Sequence, residues 1–231
     1  MNKELVVAVI LARGGSKGIP SKNLIEFCGK PLMYWTVTQC LETKSIDEVW
    51  VSSDSQEILS ISSSLGAKTI LRPNNISTDS STSESGWKHA IEHIEEEGKS
   101  ISLVIAPQVT SPLRDPIDIE MGIEKFYTED YDSMFSCSEA SDTFLWEEEH
   151  GVLKSANYDT SKRPMRQDIK NKYIENGSFY IFLPEVLKQF NNRFGNKIGY
   201  TLMESWKKYE IDELDDLKVC SAIMKEFLLD R

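Results

Sequence analysis

The sequence predicts an α/β fold with a mostly parallel sheet flanked by helices. The first observation is the apolar run at residues 6–11, which is typical of a strand buried on both faces and is followed by glycines. The second is the alternation of apolar runs with helical patterns over residues 1–138, which indicates repeated β-α-β units. The third is the glycine-rich loop itself, because ligands on such sheets bind beyond the carboxyl ends of the strands.

The predicted elements follow in order along the chain. A helix over residues 31–43 starts with Pro31 at a first-turn position. The helix over residues 83–97 has apolar residues every three or four positions and ends before Gly98. Further strands are expected at residues 48–52, 68–71, 101–106, 133–137 and 177–183, and further helices at 54–65, 115–127 and 213–229, the last packed on the sheet.

The alternation breaks near residue 139. Residues 143–175 are polar and rich in Glu, Lys, Asp and Asn, with Gly151 as a turn. Periodicity does not assign this segment to the sheet, so we interpret it as a hairpin-like insertion that leaves the main body. We expect one domain over residues 1–231, with the inserted arm at residues 140–176.

Composition excludes several classes of protein. The net charge of −11 argues against general nucleic-acid binding, which needs a basic face. No apolar stretch approaches the ~20 residues of a membrane span, and the first residues lead into a strand without a signal-peptide core. We therefore expect a soluble, cytoplasmic protein that binds no membrane. The four cysteines lack a C-x-x-C pair and are expected to be buried free thiols: Cys28, Cys40, Cys137 and Cys220.

The loop after the first strand is a candidate polyphosphate site. Residues 13–30 contain four basic residues and one acid, on a chain that is acidic overall. Its three glycines, Gly14, Gly15 and Gly18, let backbone N–H groups approach an anion closely. Gly18 is followed by Ile19 and Pro20, so the loop matches neither the dinucleotide fingerprint nor the P-loop.

Two other groups of residues have metal-ligand chemistry. Glu210 and Asp212 lie two residues apart on an extended stretch, so both carboxylates point the same way and can hold Mg²⁺. A solvated acidic lead-in to the last helix is the alternative interpretation. His89 and His93 lie four residues apart on a helix, but they lack a third ligand and an H-E-x-x-H motif, which argues against zinc.

The whole motif at residues 11–23, L-A-R-G-G-S-K-G-I-P-x-K-N, resembles the opening motif of the CMP-sialic acid synthetase (acylneuraminate cytidylyltransferase) family. Four more segments resemble that family in the expected order: L-R-P at 71–73 with T-D-S-S-T-S at 78–83, P-Q-V-T-S-P-L-R at 107–114, R-P-M-R-Q at 163–167 and Y-I-E-N-G at 173–177. Val109 replaces a proline of the family, and Glu210 stands where many relatives have aspartate. The resemblance covers residues 5–217.

This resemblance implies a Rossmann-like nucleotidyltransferase fold, of the nucleotide-diphospho-sugar transferase type, and a homodimer. It implies that CTP and a nine-carbon 2-keto sugar acid react to give the CMP-sugar and diphosphate, with Mg²⁺. The nucleotide-binding residues would be Ala12, Arg13, Gly14, Gly15, Ser16, Lys17, Lys22, Asn23, Arg72 and Ser83. The substrate-binding residues would be Gln108, Thr110, Ser111, Arg163, Arg166, Gln167 and Asn176.

By the same resemblance, Arg13, Lys22 and Asp212 are the catalytic residues, and Asp212 holds the metal together with Glu210. Arginine grips a carboxylate in bidentate fashion, which makes Arg166 the candidate for the sugar acid, in its own subunit or across the dimer. An exposed basic turn is the alternative interpretation of this segment, and a plain turn is that of Asn176.

Several functions stay open at this point. The sugar acid could be N-acetylneuraminate, legionaminate, pseudaminate or the eight-carbon acid Kdo, although the Kdo enzymes lack the G-G-S-K-G spacing. A CTP-binding protein without turnover is the alternative of a different class. A glycosyltransferase would need a D-x-D just after a strand, whereas the D-Y-D at residues 130–132 comes before one.

Overall fold

A seven-stranded sheet forms the centre of the computed structural model, which describes residues 3–16, 18–140, 143–163, 165 and 172–229. Its strands are β1 (Glu4–Leu11), β4 (Glu48–Ser53), β5 (Lys68–Leu71), β6 (Ser100–Pro107), β7 (Ser133–Glu139), β10 (Tyr173–Phe182) and β11 (Ile198–Leu202). Two short hairpins stand apart from this sheet: β2 (Glu26–Phe27) with β3 (Lys30–Pro31), and β8 (Trp146–Glu149) with β9 (Val152–Ser155). The hairpin predicted within the polar segment is therefore present.

The order across the sheet is β11-β7-β10-β6-β1-β4-β5, and β10 alone runs antiparallel to its neighbours. The mostly parallel sheet that the sequence predicts is confirmed. Because β10 is antiparallel, its beginning lies at the edge where β6 and β7 end, with Phe179 opposite Pro107 and Glu175 opposite Cys137. This places the Asn176–Gly177 corner beside the ends of the parallel strands.

Helices cover both faces of the sheet. The α-helices of the described chain are α1 (Leu32–Glu42), α2 (Gln56–Ser64), α3 (Ser83–Glu96), α4 (Pro116–Thr128), α5 (Pro184–Phe190) and α6 (Leu214–Met224). Alternate residues of β1 point to opposite faces, as a strand requires. Ala8 and Ile10 join the core under α1, α2, α4 and α6, whereas Val7 and Val9 join the core under α3 and α5. The apolar run at residues 6–11 therefore serves two cores.

Three parts of the fold differ from the sequence prediction. The central strand β10 begins at Tyr173, inside the segment interpreted as an insertion, and α5 and β11 were not anticipated. Strand β11 is a short edge strand interrupted by Gly199, so it lacks a clear apolar period. A side chain at Gly199 would lie 2.4 Å from the ring of Tyr131, so glycine is needed for this contact.

A buried arginine connects three segments next to the corner of β10. Arg114 is 1% exposed, and burial lowers the pKa of its guanidinium to about 10. It donates to Thr36 Oγ1 at 2.9 Å and Gln39 Oε1 at 3.0 Å on α1, to the Gln108 carbonyl at 2.6 Å, and to the Ser178 carbonyl on β10. Its planar set of donors therefore fixes α1, the 108–114 loop and β10 relative to one another.

We expect Arg114→Met to lower the free energy of unfolding by about 3–5 kcal/mol, because it leaves several buried acceptors without a donor. Urea denaturation at pH 7 measures this change. Lys218→Met is the matched control, since the side chain of Lys218 is 80% exposed and its partner Asp215 is 89% exposed. Equal stabilities of the two variants would contradict the role given to Arg114.

Candidate active site

A cavity of about 320 Å³ lies at the edge of the sheet where the parallel strands end. Residues from four segments of the chain surround it. They are the β1 loop (Leu11, Arg13, Gly15, Ser16, Lys22, Asn23), the 72–83 segment (Arg72, Ile76, Ser77, Thr78, Asp79, Ser81, Thr82, Ser83), Trp87 on α3, and residues 107–110 after β6. The glycine-rich loop of the sequence analysis is therefore one wall of this cavity.

Side-chain hydrogen bonds hold the backbone of the glycine-rich loop. The Gly14 N–H donates to Asp54 Oδ1 at 2.8 Å, and Asn23 Nδ2 donates to the Arg13 carbonyl at 2.8 Å. Asp54 follows β4, the neighbouring parallel strand, so its carboxylate arrives at the same edge. Arg13 is directed across the cavity, where its Nη1 lies 2.6 Å from Asp79 Oδ1.

Lys22 joins the glycine-rich loop to the acidic segment near the C-terminal helix. Its side chain is 11% exposed, and its Nζ donates to the Ile211 carbonyl at 3.0 Å and to Asp212 Oδ1 at 2.9 Å. Gly18 makes this approach possible, because a Cβ there would lie 2.7 Å from the Asp212 carbonyl oxygen. The first loop of the chain therefore packs directly on the acid pair.

A buried lysine anchors the segment that leads to the acid pair. Lys207 is 2% exposed, and its Nζ lies 2.8 Å from both carboxylate oxygens of Asp118 and 2.8 Å from Glu204 Oε2. These carboxylates keep the pKa of Lys207 above its usual value despite burial. The Ile211 N–H then donates to the Thr110 carbonyl at 2.7 Å, which ties the segment to the loop after β6.

Glu210 reaches the corner of β10. A Cβ placed on Gly177 would lie 3.2 Å from Glu210 Oε2, 3.4 Å from Ser111 Oγ and 3.7 Å from Gln108 Nε2. Gly177 has φ +62°, a conformation that favours glycine. Loss of solvent and the neighbouring Asp212 raise the pKa of Glu210, while Lys22 opposes them. The longer side chain of glutamate thus brings a carboxylate to the residues predicted to contact the sugar acid.

Two predicted substrate residues have different environments here. Ser111 Oγ is buried and has no hydrogen-bond partner within the described chain. Asn176 is 4% exposed, and its Oδ1 accepts from Ser136 Oγ at 2.6 Å and from the Ser178 N–H at 3.1 Å, while its Nδ2 faces Met203 Sδ. Asn176 therefore shapes the corner of β10, and its contact with a ligand stays a prediction.

Arg72 and α3 form the wall opposite the β1 loop. Arg72 is 6% exposed, burial lowers the pKa of its guanidinium, and its Nε donates to Ser77 Oγ at 3.0 Å. A Cβ at Gly86 would lie 2.9 Å from Leu11 Cδ1 and 3.1 Å from Arg72 Nη1, so glycine permits this close packing. Thr82 caps α3 by accepting from the Ser85 N–H, which leaves Ser83 as the first helical residue.

The structure brings most of the predicted site residues together. Ala12 is fully buried beneath the loop, and Gly14 lies behind it against Ser55. Arg163 lies elsewhere, with its guanidinium 4.5 Å from the centre of the Phe144 ring. Lys17, Arg166 and Gln167 are outside the described residues. The sequence analysis gave no role at the site to Asp79 and Trp87, which line the cavity, or to Asp54, which accepts from the Gly14 N–H.

The donor chemistry of the acid pair suits a hard divalent cation. Glu210 and Asp212 offer carboxylate oxygens, the ligands that Mg²⁺ prefers. Lys22 forms an ion pair with Asp212, and its charge opposes the rise in the pKa of Glu210. No group of three or more potential ligands from His, Cys, Asp and Glu occurs in the part of the chain that the structure describes. A Mg²⁺ ion bound by two carboxylates would take its other ligands from substrate and water oxygens, as Mg²⁺ commonly does in proteins.

Fold and site together define an α/β protein of the nucleotidyltransferase type. A family model described as "Cytidylyltransferase" matches residues 7–227, and the chain belongs to this family. N-acylneuraminate cytidylyltransferase A of Danio rerio is 34% identical over 211 residues, which cover 90% of this chain and 47% of that protein. The chain thus spans about half the length of the N-acylneuraminate relatives. The pseudaminic acid cytidylyltransferase of Campylobacter jejuni (strain 81-176) is 26% identical over 95% of this chain and 96% of its own.

Solved structures support the same fold. A structure of CMP:2-keto-3-deoxy-manno-octonic acid synthetase complexed with CTP has a TM-score of 0.73 at 18% identity, covering 97% of this chain and all of that one. A 4-diphosphocytidyl-2C-methyl-D-erythritol synthase has a TM-score of 0.71 at 9% identity, with the same coverage. The expected family and fold class are therefore confirmed. Within the described residues, no helix has the length and apolar character needed to cross a membrane.

We expect Gly18→Ala to lower the free energy of unfolding by about 1–3 kcal/mol, because the new Cβ forces the Asp212 carbonyl away. Gly15→Ala is the matched control, since a Cβ at Gly15 meets no atom within 4 Å. Urea denaturation without ligand separates this packing effect from any role of the loop in binding. A Gly18→Ala protein as stable as the Gly15→Ala protein would contradict the close packing of the loop on Asp212.

Proposed function

We propose that this chain is a cytidylyltransferase that activates a nonulosonic acid. CTP and an N-acylneuraminate would give CMP-N-acylneuraminate and diphosphate. The observation that carries the proposal is the contact between the glycine-rich loop and the acid pair. Lys22 donates to Asp212, and Glu210 lies against the corner at Gly177. The relatives named N-acylneuraminate cytidylyltransferase support this choice of substrate class.

The chemistry follows from the charges around the cavity. The oxygen of the anomeric hydroxyl on the sugar acid attacks the α-phosphorus of CTP and its proton passes to water. The bond between the α-phosphorus and the oxygen that bridges to the β-phosphate breaks, and diphosphate leaves with that oxygen. Arg13, Lys22 and the amides of the loop neutralise the triphosphate and the leaving diphosphate. Gln108, Thr110 and Ser111 line the side on which the sugar acid binds, which orients its hydroxyl toward the phosphate.

Asp212, with Glu210, would hold Mg²⁺ at the end of the site nearest to Lys22. The ion supplies charge stabilisation at phosphate oxygens when it is bound. Lys22 donates to Asp212 Oδ1 at 2.9 Å, so a metal ion held there would share this carboxylate with the lysine.

Pseudaminate is the second candidate substrate. The pseudaminic acid cytidylyltransferase of Campylobacter jejuni is 26% identical over 95% of this chain, which supports testing this acid beside N-acylneuraminate. Legionaminate and Kdo complete the set of acids to test. We propose a cytoplasmic enzyme without a nucleic-acid or membrane partner, in keeping with the acidic charge.

The β8–β9 hairpin is the proposed dimer contact. Its strands and their approach expose four large apolar side chains by half or more: Leu145, Trp146, Val152 and Leu153. Successive side chains of a strand point to opposite faces, and the pairing register places Trp146 and Leu153 on the same face of the hairpin. Covering that face with a second copy removes apolar surface from water. Arg163 follows this hairpin in the chain and lies against the ring of Phe144.

We expect a dimer by light scattering, and Trp146→Glu with Leu153→Glu should convert it to a monomer of reduced activity, because charges replace apolar contacts. Glu147→Gln is the control on the same hairpin. A fully active monomeric wild-type protein would contradict the proposed arm.

Diphosphate release with CTP and Mg²⁺, measured against N-acetylneuraminate, legionaminate, pseudaminate and Kdo, tests the proposed function. Release with one nine-carbon acid, abolished by EDTA, is the expected result. CTP binding without release from any acid would instead favour a CTP sensor.

We expect Arg13→Ala and Asp212→Asn each to lower kcat/KM by about 10²–10³-fold, the usual loss for one charge contact in the transition state. Asp215→Asn is the matched control, because this carboxylate is 89% exposed three residues further along. Circular dichroism checks that each variant is folded. Wild-type turnover in either site variant would remove the role assigned to that residue.

A further inference from the structure

We propose that Asp79 is an electrostatic latch for the polyphosphate: its carboxylate holds Arg13 in the ligand-free protein and is displaced when the triphosphate binds. The inference rests on the cytidylyltransferase function proposed above and concerns the same site. It assigns a role to Asp79, which lies across the cavity from the glycine-rich loop and has no part in the chemistry proposed above.

The contact joins the two sides of the cavity. Arg13 belongs to the β1 loop, Asp79 belongs to the 72–83 segment, and both line the cavity. Arg13 Nη1 and Asp79 Oδ1 are 2.6 Å apart, with side chains 31% and 47% exposed. An anion that binds Arg13 from within the cavity therefore meets a carboxylate on the same guanidinium.

Hydrogen bonds set the backbone on both sides of this ion pair. On one side, Asp54 and Asn23 hold Gly14 and the Arg13 carbonyl. On the other, the Thr78 N–H donates to Ser81 Oγ at 3.0 Å, and Thr78 Oγ1 lies 2.9 Å from the same oxygen. Both partners therefore sit on segments that keep their shape, and the change on binding falls on the two side chains.

The strength of the contact suits a latch. A half-exposed ion pair stabilises a protein only modestly, so a ligand with several negative charges can replace it. A carboxylate left beside bound phosphates would repel them, which weakens ligand binding and assists the departure of diphosphate. The neighbouring pair of Lys22 and Asp212 lies at a different place, beside the acid pair that would hold Mg²⁺.

Calorimetric titration of the intact protein with CTP, with inorganic diphosphate and with CMP tests the proposal. Asp79→Asn keeps the shape of the side chain and removes its charge. We expect it to bind CTP and diphosphate about fivefold more tightly than the wild type, as loss of one competing ion pair implies. CMP should bind the two proteins equally, because it lacks the β- and γ-phosphates that would compete with Asp79 for Arg13.

Asp130→Asn is the matched control, because it changes the net charge equally at a carboxylate that is 99% exposed and remote from the cavity. Asp79→Ala is the second variant, and the melting temperature of each protein is measured. Unchanged or weaker binding of CTP by both folded Asp79 variants would overturn the latch, as would an equal gain in Asp130→Asn. A wild-type protein that binds neither CTP nor diphosphate would overturn the proposed function itself.

Discussion

The packing of this site depends on one buried cation, the guanidinium of Arg114. Removing a charge from water is unfavourable unless every donor finds an acceptor. Arg114 meets this requirement with side chains of α1 and with the carbonyls of Gln108 and Ser178. The Gln108 carbonyl belongs to the stretch after β6 that lines the cavity, and the Ser178 carbonyl follows the corner at Gly177. The demand of one side chain for acceptors thus sets the backbone at both places.

The opposite side of the site is organised by pairs of charges. Arg13 is bonded to Asp79, and Lys22 to Asp212, so the two cations that we propose bind the triphosphate each have a carboxylate partner. Such pairs keep concentrated positive charge from repelling itself, and they hold long side chains near the positions in which they act. The glycine-rich loop can pack against Asp212 only because residue 18 is a glycine, since a side chain at this position would collide with the Asp212 carbonyl oxygen.

Local sequence patterns predicted the parts of the molecule that depend on local forces. The buried run of β1, the apolar period of α3 and the glycine-rich loop each have a short-range signature, and the structure contains all three. The sequence prediction cut strand β10 short because its first three residues, Tyr173, Ile174 and Glu175, are exposed, and strand β7, which pairs with them, is distant in sequence. Asp79 stood within a quoted motif without a role, since its partner Arg13 is 66 residues away. Asp54 could have been predicted as a site residue from the sequence, because a polar residue that follows a parallel strand lies at the edge of the sheet where ligands bind.

The position of β10 has a consequence for the order of folding. Strands β1, β4, β5 and β6 come from the first 107 residues and pair with one another, so this half of the sheet can form as soon as that part of the chain exists. Strand β7 pairs with β10 and β11, and β10 also pairs with β6. The second half therefore begins to form only after residue 182 has been synthesised and is completed by β11 at residue 202, and β6 keeps an open edge until β10 pairs with it. Such long-range closure is slow and leaves a growing chain open to wrong pairing, so the middle of this sheet is the place where assembly is most easily disturbed.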